Sequence, residues 1–264
     1  VSTDADPDAG VTEPRSGGAR RSRAGRAAVA ELRQVLRDPL LLVLVVVLPG
    51  YFVGVWGWIV PDEPITVPIA GGAGVVDHQV PLPELIAAVI APLAGALVVG
   101  ITGLFAVQRA RDVDARLGVA GYRPSELLAG RLAVLGAIGI VVTGVGVGVA
   151  RLHVVPAHPA WFVLAVGLAC GIYGAIGSVL GQVLDRLPGV YFLLFAPMID
   201  MMLLQNPLAD PPAWAAWLPG HHPIRLATSA AFAETVAIEH ALWGGVAVVG
   251  AVTLAAAATT LRMR

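Results

Sequence analysis

Six stretches of this chain run for roughly 20 residues with scarcely a charge, and each is long enough to cross a bilayer as a helix. They cover about Leu40 to Val60, Leu85 to Val107, Leu132 to Ala150, Trp161 to Leu184, Leu187 to Leu204 and Ala241 to Leu261. No other feature constrains the fold as strongly. A chain of 264 residues that is 57% apolar and 13% charged lacks the polar surface to cover a water-soluble core. The spacing predicts an all-α membrane protein of six transmembrane helices.

Arginine sets the expected orientation. The chain has no lysine, so all 17 basic side chains are arginines. Seven precede the first span, five lie between the second and third, one (Arg186) precedes the fifth, and two follow the sixth. The other three loops share only Arg151 and Arg225. Cytoplasmic flanks are enriched in basic residues, so this alternation predicts both termini inside, in the cell membrane. The missing lysine also excludes Schiff-base chemistry and a P-loop lysine. A net charge of -1 gives no case for nucleic-acid binding. Cys170 is alone, so no intrachain disulfide is possible.

Residues 1–26 are rich in Asp, Gly, Pro, Ser and Arg, lack a signal-peptide apolar core, and read as a disordered cytoplasmic tail. From residue 27, Ala28, Val29, Leu32, Val35 and Leu36 recur at helical spacing up to Arg37, Asp38 and Pro39. This stretch is either an amphipathic helix lying in the interface or an extension of the first span. The loop from Pro61 to Glu84 is acidic, rich in Pro and Gly, and reads as an external connector.

The segment Gln108 to Arg131, QRARDVDARLGVAGYRPSELLAGR, mixes Arg109, Arg111, Asp112, Asp114 and Arg116. A short helix is expected there, then a turn at Gly121 to Pro124, with Ser125 capping a new helix. It is either a docking surface for a cytosolic partner or a solvated basic loop.

Asp200 is the acid deepest inside a proposed span, 14 residues beyond Arg186 and so about 21 Å along a helix. It is a candidate to line a path, bind a cationic substrate or pair with Arg225; alternatively the span ends early and Asp200 meets external water. Met198, Met201 and Met202 stand beside it as an adaptable apolar surface or as ordinary packing. Gly171, Gly174, Gly177, Ser178 and Gly181 predict close helix approach in the fourth span. A serine hydrolase built on Ser178 would need a histidine at similar depth, and His240 lies at a span edge. His221 and His222 are adjacent, with His153 and His158 in another external loop. In an extended segment neighbouring side chains point apart, so no metal site is expected.

These features, taken in order along residues 27–264, resemble the permease subunit of a type-2 ABC transporter. Arg37-Asp38-Pro39 matches the end of that family's elbow helix. Leu117, Pro124 and Gly130-Arg131 fit the path from its coupling segment into the third span, with Asp112 and Asp114 the nearest acids. Trp217-Leu218-Pro219-Gly220-His221-His222-Pro223 is similar to its external re-entrant segment. The resemblance implies an elbow helix containing Leu32, Leu36, Arg37, Asp38 and Pro39, then six spans. It implies a cytoplasmic coupling helix with Arg109, Arg111, Asp112, Asp114, Arg116 and Leu117, and re-entrant external helices between the last two spans. It implies an exporter for an amphiphilic or apolar small molecule or lipid, with drug or antibiotic efflux favoured. Two copies of an ATP-binding subunit would bind ATP and Mg, and a second permease, identical or a sister chain, would complete the path. The competing classes are a stand-alone secondary transporter and a membrane assembly protein without transport.

Overall fold

The computed structural model describes residues 58–119, 124–209 and 211–262, with residues 47, 50, 51 and 53–55; of residues 111–119, 124–128, 261 and 262 only the backbone is described. The elbow residues Leu32, Leu36, Arg37, Asp38 and Pro39, and most of the first proposed span, lie outside them. The described positions of that span from 47 to 59 are helical.

Among the described residues, five helices are long and apolar enough to cross a membrane: Leu82–Ala110, Ala129–Ala150, Pro159–Val183, Arg186–Leu204 and Ile238–Thr260. Each overlaps one proposed span and differs by a few residues at its ends. Their apolar lengths support a helical membrane protein.

The chain enters this bundle through an antiparallel hairpin, β1 (Pro64–Gly71) and β2 (Gly74–Pro81), in register from Pro64↔Pro81 to Gly71↔Gly74. A hairpin corrects the expectation of a plain connector and adds a small sheet to what is otherwise helical among the described elements. Val67 and Ile69 alternate inward and bury against Val80, Leu85 and Ala233, which is the period-2 pattern of a half-buried strand. Pro68 is tolerated because a two-stranded sheet consists only of edges.

Helix α1 (Leu82–Val119) is 38 residues long, which is about 57 Å at 1.5 Å per residue, well beyond a hydrocarbon core of about 30 Å. It is the central post of the bundle, with 94% of its most apolar window buried. Helix α2 is Pro124–Ala150, α3 is Pro159–Val183, α4 is Arg186–Met198, α5 is His221–Phe232 and α6 is Ile238–Arg262. Where a separate coupling helix was expected, α1 continues unbroken through Arg109 to Val119. Residues 120–123, where the turn was expected, lie outside the described ones. The described part of α2 starts at Pro124, and the backbone of Ser125 is helical.

Helix α3 crosses α1 with almost no side chains between them. A β-carbon built on Gly181 would lie 2.7 Å from the Leu104 carbonyl oxygen, and one on Gly177 would collide with the Gly100 carbonyl. Gly174 instead makes room for the Val99 side chain of α1, whose Cγ1 would lie 2.8 Å from a β-carbon there. The glycines read from the sequence as a close-approach face therefore are one, although Gly171 faces Val248 of α6 instead. Ser178 donates to the Gly174 carbonyl at 2.9 Å, one turn back.

Candidate functional site

Two places in the bundle are built unlike ordinary helix packing. The first is a knot of polar side chains beside the end of the fourth apolar helix. Pro197 removes a backbone donor near the end of α4. The chain then widens into a π-helical turn, Ile199–Leu204, a local distortion frequent at functional sites. That turn carries Asp200 into the interior, where 5% of it is exposed. Its Oδ2 accepts a hydrogen bond from the Tyr173 hydroxyl at 2.5 Å and another from the Gly220 N–H at 2.7 Å. Its Oδ1 has no hydrogen-bond partner among the described residues. No ion pair joins it to Arg225 among those residues, and it does not face water. The reading in which the helix ends early is therefore corrected: the backbone stays helical through Leu204.

Gly220 is required where it stands. A β-carbon there would sit 2.7 Å from Asp200 Oδ2 and 2.7 Å from Met201 Cγ. Gln205 extends the knot. It is 1% exposed, donates from Nε2 to the Ala215 carbonyl at 2.7 Å, and presents Oε1 to His221 Nδ1 at 2.8 Å. Its two ends thus tie the 3-10 turn Ala213–Trp217 to the first turn of α5.

The histidines differ from the sequence expectation. His221 and His222 occupy the first turn of α5, not an extended segment, and His240 reaches them from the first turn of α6. Their ring centroids are 5.1, 5.6 and 5.5 Å apart, and Trp243 stacks on His222 at 6.4 Å. The Nδ1 atoms of His222 and His240 are 3.2 Å apart. Each of the three histidines offers one ring nitrogen, all within 4.8 Å of one another, which is close enough for a shared ion. Burial lowers the His221 imidazole to about 4, helped by His222, Arg225 and His240 nearby. Burial lowers His222 as well. The lowering favours the neutral imidazole, the form that binds metals. By contrast, His153 and His158 take no part, and His158 Nε2 lies 3.0 Å from the Glu234 carbonyl oxygen.

The second place is an apolar groove of about 940 Å³ between α2, α3 and α6. Glycines make it: Gly136, Gly144, Gly148 and Gly167 line it, and a β-carbon on any of them would meet nothing within 4 Å. Thr143, Cys170 and Arg151 supply the few polar groups. Thr143 Oγ1 lies 3.6 Å from Cys170 Sγ. The volume suits a drug-sized or lipid-like molecule. None of Asp200, Met198, Met201 and Met202 lines this groove. Met201 is wholly buried, while Met198 and Met202 are 44% and 37% exposed. The groove escaped sequence reading, although the run of small residues from Gly136 to Gly148 is its signature.

At the other end of α1, Gln108 donates to the Leu184 carbonyl at 3.1 Å, and the Arg186 guanidinium lies 4.7 Å from the centre of the Phe105 ring. These contacts tie α1 to the turn between α3 and α4. Arg109 is exposed there. The backbone of Arg111, Asp112, Asp114, Arg116 and Leu117 belongs to the same helix, and their side chains lie outside the description.

No family model and no curated protein matches this chain.

Proposed function

We propose that this chain is the transmembrane permease subunit of an ATP-driven ABC exporter, carrying an amphiphilic or apolar small molecule or lipid. The observation that carries the reading is α1. One helix runs from the buried centre of the bundle out through the charged Arg109 to Leu117 stretch. A partner that pushed on that stretch would move the central post directly, with no flexible joint between. The apolar, glycine-walled groove supports an apolar cargo over an ionic one. The 3-10 turn and α5 stand between the last two apolar helices, where the family pattern places re-entrant helices.

In this reading both termini and the end of α1 are cytoplasmic, and the hairpin and histidines lie outside. Two ATP-binding subunits bind ATP and Mg, and their closure drives alternating access between this chain and a second permease. Co-expression with a neighbouring ATP-binding subunit tests it. Charge reversal at Asp112, Asp114 and Arg116 together abolishes co-purification of that subunit and nucleotide-dependent export. ATP-driven transport by this chain alone would sink the proposal, as would full export by the reversed variant.

A further inference from the structure

We infer that His221, His222 and His240 form a binding site for a transition-metal dication of the Zn²⁺ class, joining the first turn of α5 to the first turn of α6. Three observations carry this, and none depends on transport. The first is distance. Zn–N bonds of about 2.0–2.1 Å at tetrahedral angles place neighbouring ligand nitrogens about 3.3 Å apart. The Nδ1 atoms of His222 and His240 are 3.2 Å apart. Without an ion, two such nitrogens share one proton; with it, both lone pairs meet at one point.

The second is the support around the ligands. A metal-binding imidazole usually gives its other N–H to a carbonyl or carboxylate, which sets the tautomer. Gln205 Oε1 stands 2.8 Å from His221 Nδ1. The amide is oriented by its own bond to Ala215, so His221 Nδ1 carries the proton and Nε2 keeps its lone pair. On His240 the Glu239 carboxylate lies 4.0 Å from Nε2, on the side of the ring away from Nδ1. The ligand set is thus His221 Nε2, His222 Nδ1 and His240 Nδ1, three imidazoles with a fourth position left for water. Three neutral nitrogens suit zinc, copper or nickel far better than magnesium or calcium.

The third is convergence from two helices: His221 and His222 of α5 and His240 of α6 each bring a ring nitrogen to within 4.8 Å of the others. Arg225, one turn further along α5, carries charge of the same sign as the ion and so limits its affinity. Trp243 closes one side by stacking on His222.

The test uses the full chain purified in detergent and titrated with Zn²⁺ against a chromogenic chelator, without nucleotide or partner. One Zn²⁺ binds per chain. His222→Ala or His240→Ala weakens it at least tenfold, and His153→Ala leaves it unchanged. Gln205→Leu, which removes no ligand, weakens it by about 10–100-fold. X-ray absorption at the zinc edge of the unmutated protein decides independently of whether any variant folds. Two or three imidazole nitrogens at about 2.0 Å support the site. Fewer than two, or the same stoichiometry in a His222→Ala/His240→Ala chain, overturns it. Either result leaves the transport proposal standing or falling on its own tests.

Discussion

The polar knot around Asp200 and the groove between α2, α3 and α6 use glycine in opposite ways. At Gly220, as at the Gly177 and Gly181 crossing of α3 with α1, a β-carbon would strike another group, so glycine makes contact possible. At Gly136, Gly144, Gly148 and Gly167 a β-carbon would touch nothing, so glycine leaves space. In lipid, helices gain nothing from simply hiding apolar surface from one another, so close packing and buried hydrogen bonds hold the bundle together. The first kind of glycine therefore supports the fold, and the second shapes a cavity the fold does not need.

Substitutions that fill each kind of glycine separate the two. Unfolding is followed by the reactivity of Cys170, the sole cysteine and buried in the folded chain. The largest effect falls on Gly177→Leu, which drives a side chain into the α1 backbone. It costs about 3 kcal/mol or more, at or beyond the upper end of the overpacking range, and Cys170 reacts at a much lower temperature. Gly220→Ala comes next. It forces Asp200 off the Gly220 N–H and leaves buried polar groups unpaired, at about 1–3 kcal/mol. Tyr173→Phe removes only the donor to Asp200 Oδ2 and costs about 1–2 kcal/mol by the same rule. A Tyr173→Phe chain as stable as the parent would show that the knot is not a structural tie. The smallest effect on stability is that of Gly144→Leu, within about 0.5 kcal/mol, as for substitutions that meet open space. The same change occupies the groove, so export of an apolar fluorescent substrate falls at least tenfold under the proposed function. If Gly144→Leu unfolds the chain as Gly177→Leu does, the distinction between the two glycine classes collapses.

The apolar helices were legible because a lipid-spanning helix must be apolar over its full length, and that shows in composition without any knowledge of neighbours. The α1–α3 contact was partly legible, from the Gly174, Gly177 and Gly181 spacing. The hairpin was hidden by Pro64, Pro68 and Pro81, which argue against strand, and it forms because Val67 and Ile69 find Val80 and Ala233 to pack on. The unbroken run of α1 past Arg109 was misread as a separate helix, since charge marks where a helix leaves lipid and not where it ends. The histidine cluster was illegible for a different reason. His221 and His222 looked extended among Leu218, Pro219, Gly220 and Pro223, yet Pro223 falls within the first turn of a helix, where proline is tolerated.

Local chemistry along the chain thus decided which segments are apolar helices and where arginine gathers, because both depend on residue type and length alone. Contacts between distant segments decided the rest. Asp200 has Tyr173 and Gly220 for partners, and His240 meets residues 18 and 19 positions earlier. Those pairings depend on a π-helical turn after Pro197 and on how short helix α5 packs against α6. No stretch of sequence encodes such a meeting alone, because the groups that make it lie on different elements and come together only when the bundle closes.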